Sequence, residues 1–114
     1  MTSRRAERVG GLLREEISSI LRNEIKDPRI GFITITRVVV TNDLSLARVF
    51  FSIIGTKEDR DRSIEGLNSA SSYIRRALGK RLNLKHIPDI NFRFDESLEY
   101  SSRIEELIKE IRGG

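Results

Sequence analysis

Residues 71–88, SSYIRRALGKRLNLKHIP, open as an amphipathic helix and reach Ala77-Leu78-Gly79 where that helix is due to continue. Arg75, Arg76, Lys80, Arg81 and Lys85 fall within eleven positions. From Ser72 to Arg93, six basic residues stand against one acid, Asp89, so the segment's +5 exceeds the +4 of the whole chain. Glycine costs about 1 kcal/mol relative to alanine inside a helix and turns readily to positive φ. The pattern therefore predicts a break at Gly79, a short second helix over residues 80–84, and cations displayed around the turn. Such a surface suits a polyanion.

Working upstream, Ile64, Leu67, Ser71, Ile74 and Leu78 form a helical core stripe. At 100° per residue Arg76 and Lys80 fall nearly opposite it, and Arg75 flanks it. Thr56 and Asp59 have capping-box spacing, and Glu58, Asp59 and Asp61 put negative charge where the helix dipole favours it. Before this helix, FITITRVVVT (residues 32–41) is rich in β-branched residues and reads as a strand, with residues 46–54 as a second. Asn42-Asp43 between them supplies a turn, so the two form an antiparallel hairpin. Downstream, Ile87-Pro88 forces an extended passage into a third strand, INFRF at residues 90–94. A helical crossover between strands two and three makes that pair parallel, with strand one on the far side of strand two.

At the N-terminus Val9, Leu12, Leu13, Ile17, Ile20 and Leu21 recur at three- and four-residue steps, a first helix ended by Asp27-Pro28. Gly10 and Gly11 inside it are read as tolerated rather than as close contacts. Ser102 and Glu105 open a last, acidic helix carrying Ile104, Leu107, Ile108 and Ile111. It either packs on the domain or frays. The fold class is α+β: a three-stranded mixed sheet backed by helices, as one domain over residues 1–97 with a helical extension over residues 98–114.

The 114 residues contain no cysteine, which excludes a disulfide framework or a thiolate metal site. No apolar run exceeds three residues, far short of the ~20 a membrane span needs. A cytoplasmic protein without a membrane partner is expected. A pI near 9.8 favours nucleic acid or an anionic surface over an acidic protein as the partner. With no coiled-coil seam, a monomer is expected.

The order of elements resembles the type II KH domain, and local segments resemble the bacterial ribosome-binding factor A family. The matching stretches are RAERVGGLLREEISSILRNEIKDPRIG, TNDLSLARVFFSI, ALGKRL and HIPDINFRFDES. Asp27-Pro28-Arg29, Asn42-Asp43-Leu44-Ser45 and Asp95-Glu96-Ser97 at these separations are the specific part. The resemblance implies an αββααβ KH-like domain whose Gly-x-x-Gly loop is replaced by an Ala-x-Gly kink, here Ala77-Leu78-Gly79. It also implies a non-enzymatic factor that binds the small ribosomal subunit and assists maturation of its rRNA, including the 5′ end. No cofactor and no small-molecule substrate are implied. No two glycines of this chain are three apart, so the usual KH clamp on single strands is absent.

The candidate rRNA-binding set is Arg75, Arg76, Lys80, Arg81 and Lys85 with the Ala77, Leu78 and Gly79 segment between them. Arg4, Arg5 and Arg8 are either a second basic element or an ordinary solvated face. Such cations position a nucleic acid without reading its sequence. Reading bases takes aromatic stacking, and of the seven aromatics Tyr73 is the candidate, most others falling among strand aliphatics. The rival reading is a protein-interaction module whose basic face docks an acidic partner. Catalysis has little support: His86, the sole histidine, forms a triad with Asp89 or Asp95 and Ser97 only on paper.

Overall fold

The structure, a computed structural model, describes residues 3–97. The order is α1 (Arg4–Asn23), β1 (Ile33–Val40), β2 (Leu46–Ile53), α2 (Lys57–Arg81) and β3 (Asp89–Phe94). The sheet order is β1-β2-β3, with β1 antiparallel and β3 parallel to β2, as the crossover logic requires. The acidic helix expected after Ser102 lies outside the described residues.

Helix α1 starts where Ser3 Oγ accepts from the Ala6 amide at 3.1 Å. It buries Ala6, Val9, Leu13, Ile17 and Ile20 against the sheet. Each large aliphatic so buried stabilises the fold by about 1.5–3 kcal/mol. The helix ends at Asn23, five positions ahead of Pro28, because the Glu24 and Ile25 amides both turn back to Ile20 O and Ile25 drops onto the core. Asp27 then locks its own turn by accepting from the Arg29 amide at 2.9 Å and pairing with the Arg29 guanidinium at 2.7 Å. Gly10 corrects the sequence reading. A Cβ there would meet Val38 O at 2.9 Å, so α1 rides on the β1 backbone through this glycine, whereas Gly11 faces nothing within 4 Å.

In β1, Ile33 and Ile35 face the helices, and so do Val38 and Val40. The change of parity is absorbed by a bulge at Thr36, where the pairing passes from Ile35–Phe51 to Arg37–Phe50. Thr36 Oγ1 donates to Asp95 Oδ2 at 2.6 Å, tying the bulge of β1 to the residue that follows β3. Ala47, Val49, Phe51, Phe92 and Phe94 complete the inner face, with Phe51 and Phe94 edge to face at 5.9 Å.

Helix α2 opens with the full Thr56–Asp59 capping box. It is one helix of 25 residues, not the expected pair broken at Gly79. The Leu82 amide still donates to Leu78 O at 2.8 Å, and Gly79 has no positive φ. Ile74 and Leu78, both fully buried, hold the last turns in register, and their packing outweighs the glycine's propensity cost. The chain leaves the helix at Leu82 with extended φ/ψ. Early in α2, Ser63 Oγ donates to Arg29 O, and a Cβ on Gly66 would meet Ile30 Cγ1 at 2.6 Å. These small residues seat the loop that leads into β1.

Candidate functional site

Residues 75–81 form the last turns of α2, and Lys85 lies in the loop that carries the chain to β3. The buried Ile74 and Leu78 set the rotation of the helix, so Arg76 and Lys80, one turn apart, face solvent. Neither forms an ion pair or hydrogen bond among the described residues. Both line a cleft of about 430 Å³ with Glu24, Tyr73, Ala77 and Arg81. Arg76 also borders a shallower hollow of about 580 Å³ with Ser72, Arg75 and Ile87.

The structure divides the expected cations into two kinds. Arg75 pairs with Asp89 Oδ1 at 3.2 Å and donates to Ile87 O at 3.4 Å, drawing α2 toward the start of β3. Arg81 pairs with Glu16 at 3.4 Å and with Glu24, joining α2 to α1. Lys80 and Arg81 also lie in the last turn, where the helix dipole favours cations. Arg76, Lys80 and Lys85 are exposed with no such tie among the described residues. Of the Ala77-Leu78-Gly79 segment, Leu78 is core, Ala77 is half-buried at the cleft, and only Gly79 is exposed. None of the three forms a turn.

Arg4, Arg5 and Arg8 are exposed at the start of α1, near the β1–β2 turn to which the Ser3 amide donates through Asn42 Oδ1 at 2.9 Å. Arg81 meets α1 at Glu16, and Arg8 stands about 12 Å further along that helix axis. Cations in the first turn oppose the helix dipole, so Arg4 and Arg5 contribute nothing to α1 by their charge.

Tyr73, the expected stacking group, is 40% exposed and has a second engagement: its hydroxyl donates to Glu24 Oε1 at 2.7 Å. That bond, together with desolvation and the nearby charge of Glu24, raises the phenol above its usual pKa. Glu24 therefore holds both Tyr73 and Arg81, a role no local sequence motif announces. Two phenylalanines depart from the core reading. Phe32 is 85% exposed, and Phe50 lies half-buried on the outer face of the sheet under the Arg37 guanidinium.

The paper triad does not assemble. Ser97 Oγ donates to Asp95 Oδ1, but His86 precedes β3 and Asp95 follows it, about 20 Å of strand apart. Among the described residues no three His, Asp or Glu side chains come together in a way that holds a metal ion. No described helix is long and apolar enough to cross a membrane. What the cleft offers is fixed positive charge beside a polar wall, a surface for binding an anion.

A family model described as ribosome-binding factor A matches residues 5–108. A ribosome-binding factor A of Brevibacillus brevis is 48% identical over 111 residues, spanning 97% of this chain and 92% of that one. The solution structure of a Thermotoga maritima ribosome-binding factor A superposes with a TM-score of 0.72 at 29% identity, covering 82% of this chain and 89% of that one. A homology model of the Thermus thermophilus ribosome-binding factor A, as fitted into a cryo-EM map of a complex with the 30S subunit, superposes with a TM-score of 0.57 at 22% identity, covering 79% of this chain and 90% of that one.

Proposed function

The chain belongs to the ribosome-binding factor A family, and from that premise we propose that it binds the small ribosomal subunit through rRNA phosphates and assists late maturation of that rRNA, its 5′ end included. Support comes from the Thermus thermophilus relative's complex with the 30S subunit and from the family's name as a binding factor. The observation that carries the assignment to a surface is that Arg76 and Lys80 are exposed and unpaired among the described residues, while Arg75 and Arg81 on the same helix are tied to Asp89, Glu16 and Glu24. Lys85 extends this face, and Arg4, Arg5 and Arg8 form its second basic element. Gly79 sits between the cations as an exposed, narrow stretch of helix that lets a phosphate or sugar come near the backbone.

The action is binding without catalysis. A protein that prefers one rRNA arrangement shifts the population toward it by its differential affinity, and nothing more is required. Phosphate contacts release counterions, so binding falls steeply with salt.

Cosedimentation of the purified chain with small subunits, across roughly 50 to 200 mM salt, tests this. The Arg76→Glu/Lys80→Glu variant is expected to lose binding and to show a shallower salt dependence. Unchanged tight binding by that variant would overturn the assignment of the surface. Binding that appears only when another protein is supplied would favour the rival reading as a protein-interaction module.

A further inference from the structure

Among the described residues, α1 and α2 lie on one face of the sheet, and the other face is built from residues the function above does not use. Its central row runs across all three strands as Arg37, Phe50 and Arg93, each paired with the next by register. The adjacent row is Val39, Arg48 and Asn91. With strands about 4.8 Å apart and about 3.3 Å per residue, the three arginines share a patch of about 10 by 7 Å. All three are exposed.

Among the described residues the positive charge on this face is only partly offset, Asp95 acting on Arg37 from the end of the sheet. Arg48 neighbours Arg37 and Arg93 diagonally, and like charges so placed on adjacent strands oppose folding. None of the three forms an ion pair among the described residues. Of the nearby carboxylates, Asp89 at the start of β3 pairs with Arg75, and the buried Asp95 that follows β3 accepts from the Thr36 and Ser97 hydroxyls, leaving Arg48 and Arg93 without an acid partner among the described residues. Two of the arginines are held in place by neutral groups. Arg37 sits 4.0 Å above the centre of the Phe50 ring, and Arg93 Nε donates to Asn91 Oδ1 at 3.1 Å. Held guanidinium groups lose less entropy when they bind, and their planar forks match phosphate oxygens while their faces stack on bases. The patch contains no lysine, which would offer charge without that plane.

We propose that this open sheet face is a second RNA-binding surface, taking a short single-stranded stretch with its phosphates on Arg48 and Arg93 and a base against the Arg37 guanidinium that Phe50 supports. The proposal rests on the RNA-binding reading above and extends it. With the helical cations on the opposite side of the sheet, one molecule contacts two RNA segments at once and holds them at a set separation.

Fluorescence anisotropy with a labelled, unstructured RNA of about twelve nucleotides tests it on the full chain. Arg48→Gln/Arg93→Gln is expected to weaken binding roughly tenfold and to lower the salt slope by about 1.4, two single-strand phosphate contacts' worth, with a melting temperature no lower than that of the unaltered chain. Arg76→Gln/Lys80→Gln is expected to retain most oligonucleotide binding while losing subunit binding. If the sheet-face variant binds the oligonucleotide as tightly as the unaltered chain, or if the unaltered chain does not bind it at low salt, the proposal falls. Loss of subunit binding in the helix variant would then still uphold the first surface. Competition by polyaspartate as effective as by unlabelled RNA would also overturn it, in favour of an acidic peptide.

Discussion

The Tyr73 hydroxyl donates to Glu24 Oε1 across 2.7 Å, so a residue of α2 is bonded to the residue that caps α1. The same Glu24 carboxylate group holds Arg81, eight positions further along α2. One acid thus braces the wall of the cleft and withholds one of its cations. Glu24→Gln is expected to loosen Arg81, leaving Glu16 as its one remaining acid among the described residues, and to remove a negative charge from the rim. Affinity for small subunits should rise about two- to fivefold at moderate salt, as one more cation becomes available to phosphate. Cosedimentation at fixed salt checks it, and a fall in affinity would mean that the brace matters more than the charge.

The two neighbouring glycines of α1 should respond in opposite directions. Gly10→Ala forces a Cβ to within 2.9 Å of Val38 O and should destabilise by about 1–3 kcal/mol. Gly11→Ala meets nothing within 4 Å and should stabilise by about 0.5–1 kcal/mol through helix propensity. Urea unfolding of the two variants measures both signs.

Gly79→Ala distinguishes a continuous helix from a broken one. The new Cβ would touch only Ile87 Cγ1, at an ordinary 3.9 Å, and φ is not positive. A gain of about 0.5–1 kcal/mol in urea unfolding is expected. A loss of similar size would show that the chain needs glycine's freedom here.

Asp95 predicts an acid-sensitive contribution to stability. Its carboxyl accepts from the Ser97 hydroxyl and amide and from Thr36, which hold its pKa below the ordinary carboxylate value. A folded pKa below the unfolded one, about 3.9, gives stability that is complete above that pH and is lost as pH falls through the folded value. Asp95→Asn should therefore melt below the unaltered chain at pH 7, and the gap should begin to narrow below about pH 4 and close as pH falls through the lower folded pKa. Melting temperatures across that range decide it.

Much of the architecture was legible from short-range pattern. The Thr56–Asp59 capping box, the hairpin turn at Asn42-Asp43, the three strands and the parallel β2–β3 pairing all follow from residue type and spacing, because caps, turns and crossovers are local or topological constraints. The bulge was visible only as a parity change, from Ile33 and Ile35 to Val38 and Val40. Arg48 between Ala47 and Val49, and Arg93 between Phe92 and Phe94, carry a period-two signal for the outer face that the sequence reading left unused beside the denser cluster in α2. The break at Gly79 was misread because propensity is a weak term beside the burial of Ile74 and Leu78.

The chain alone determined that a basic helical segment would be displayed on an α+β domain, since hydrophobic period and charge density are properties of linear order. Tertiary structure alone decided which of those cations are free. Arg81 meets Glu24 across 57 positions of chain, and Arg75 meets Asp89 across a loop that doubles back. Ion pairs form between groups brought within a few ångströms, and distance along the chain carries little information about that approach. The basic stretch at residues 75–85 is therefore part fastening and part binding surface. Only the packing of α1, α2 and β3 separates the two.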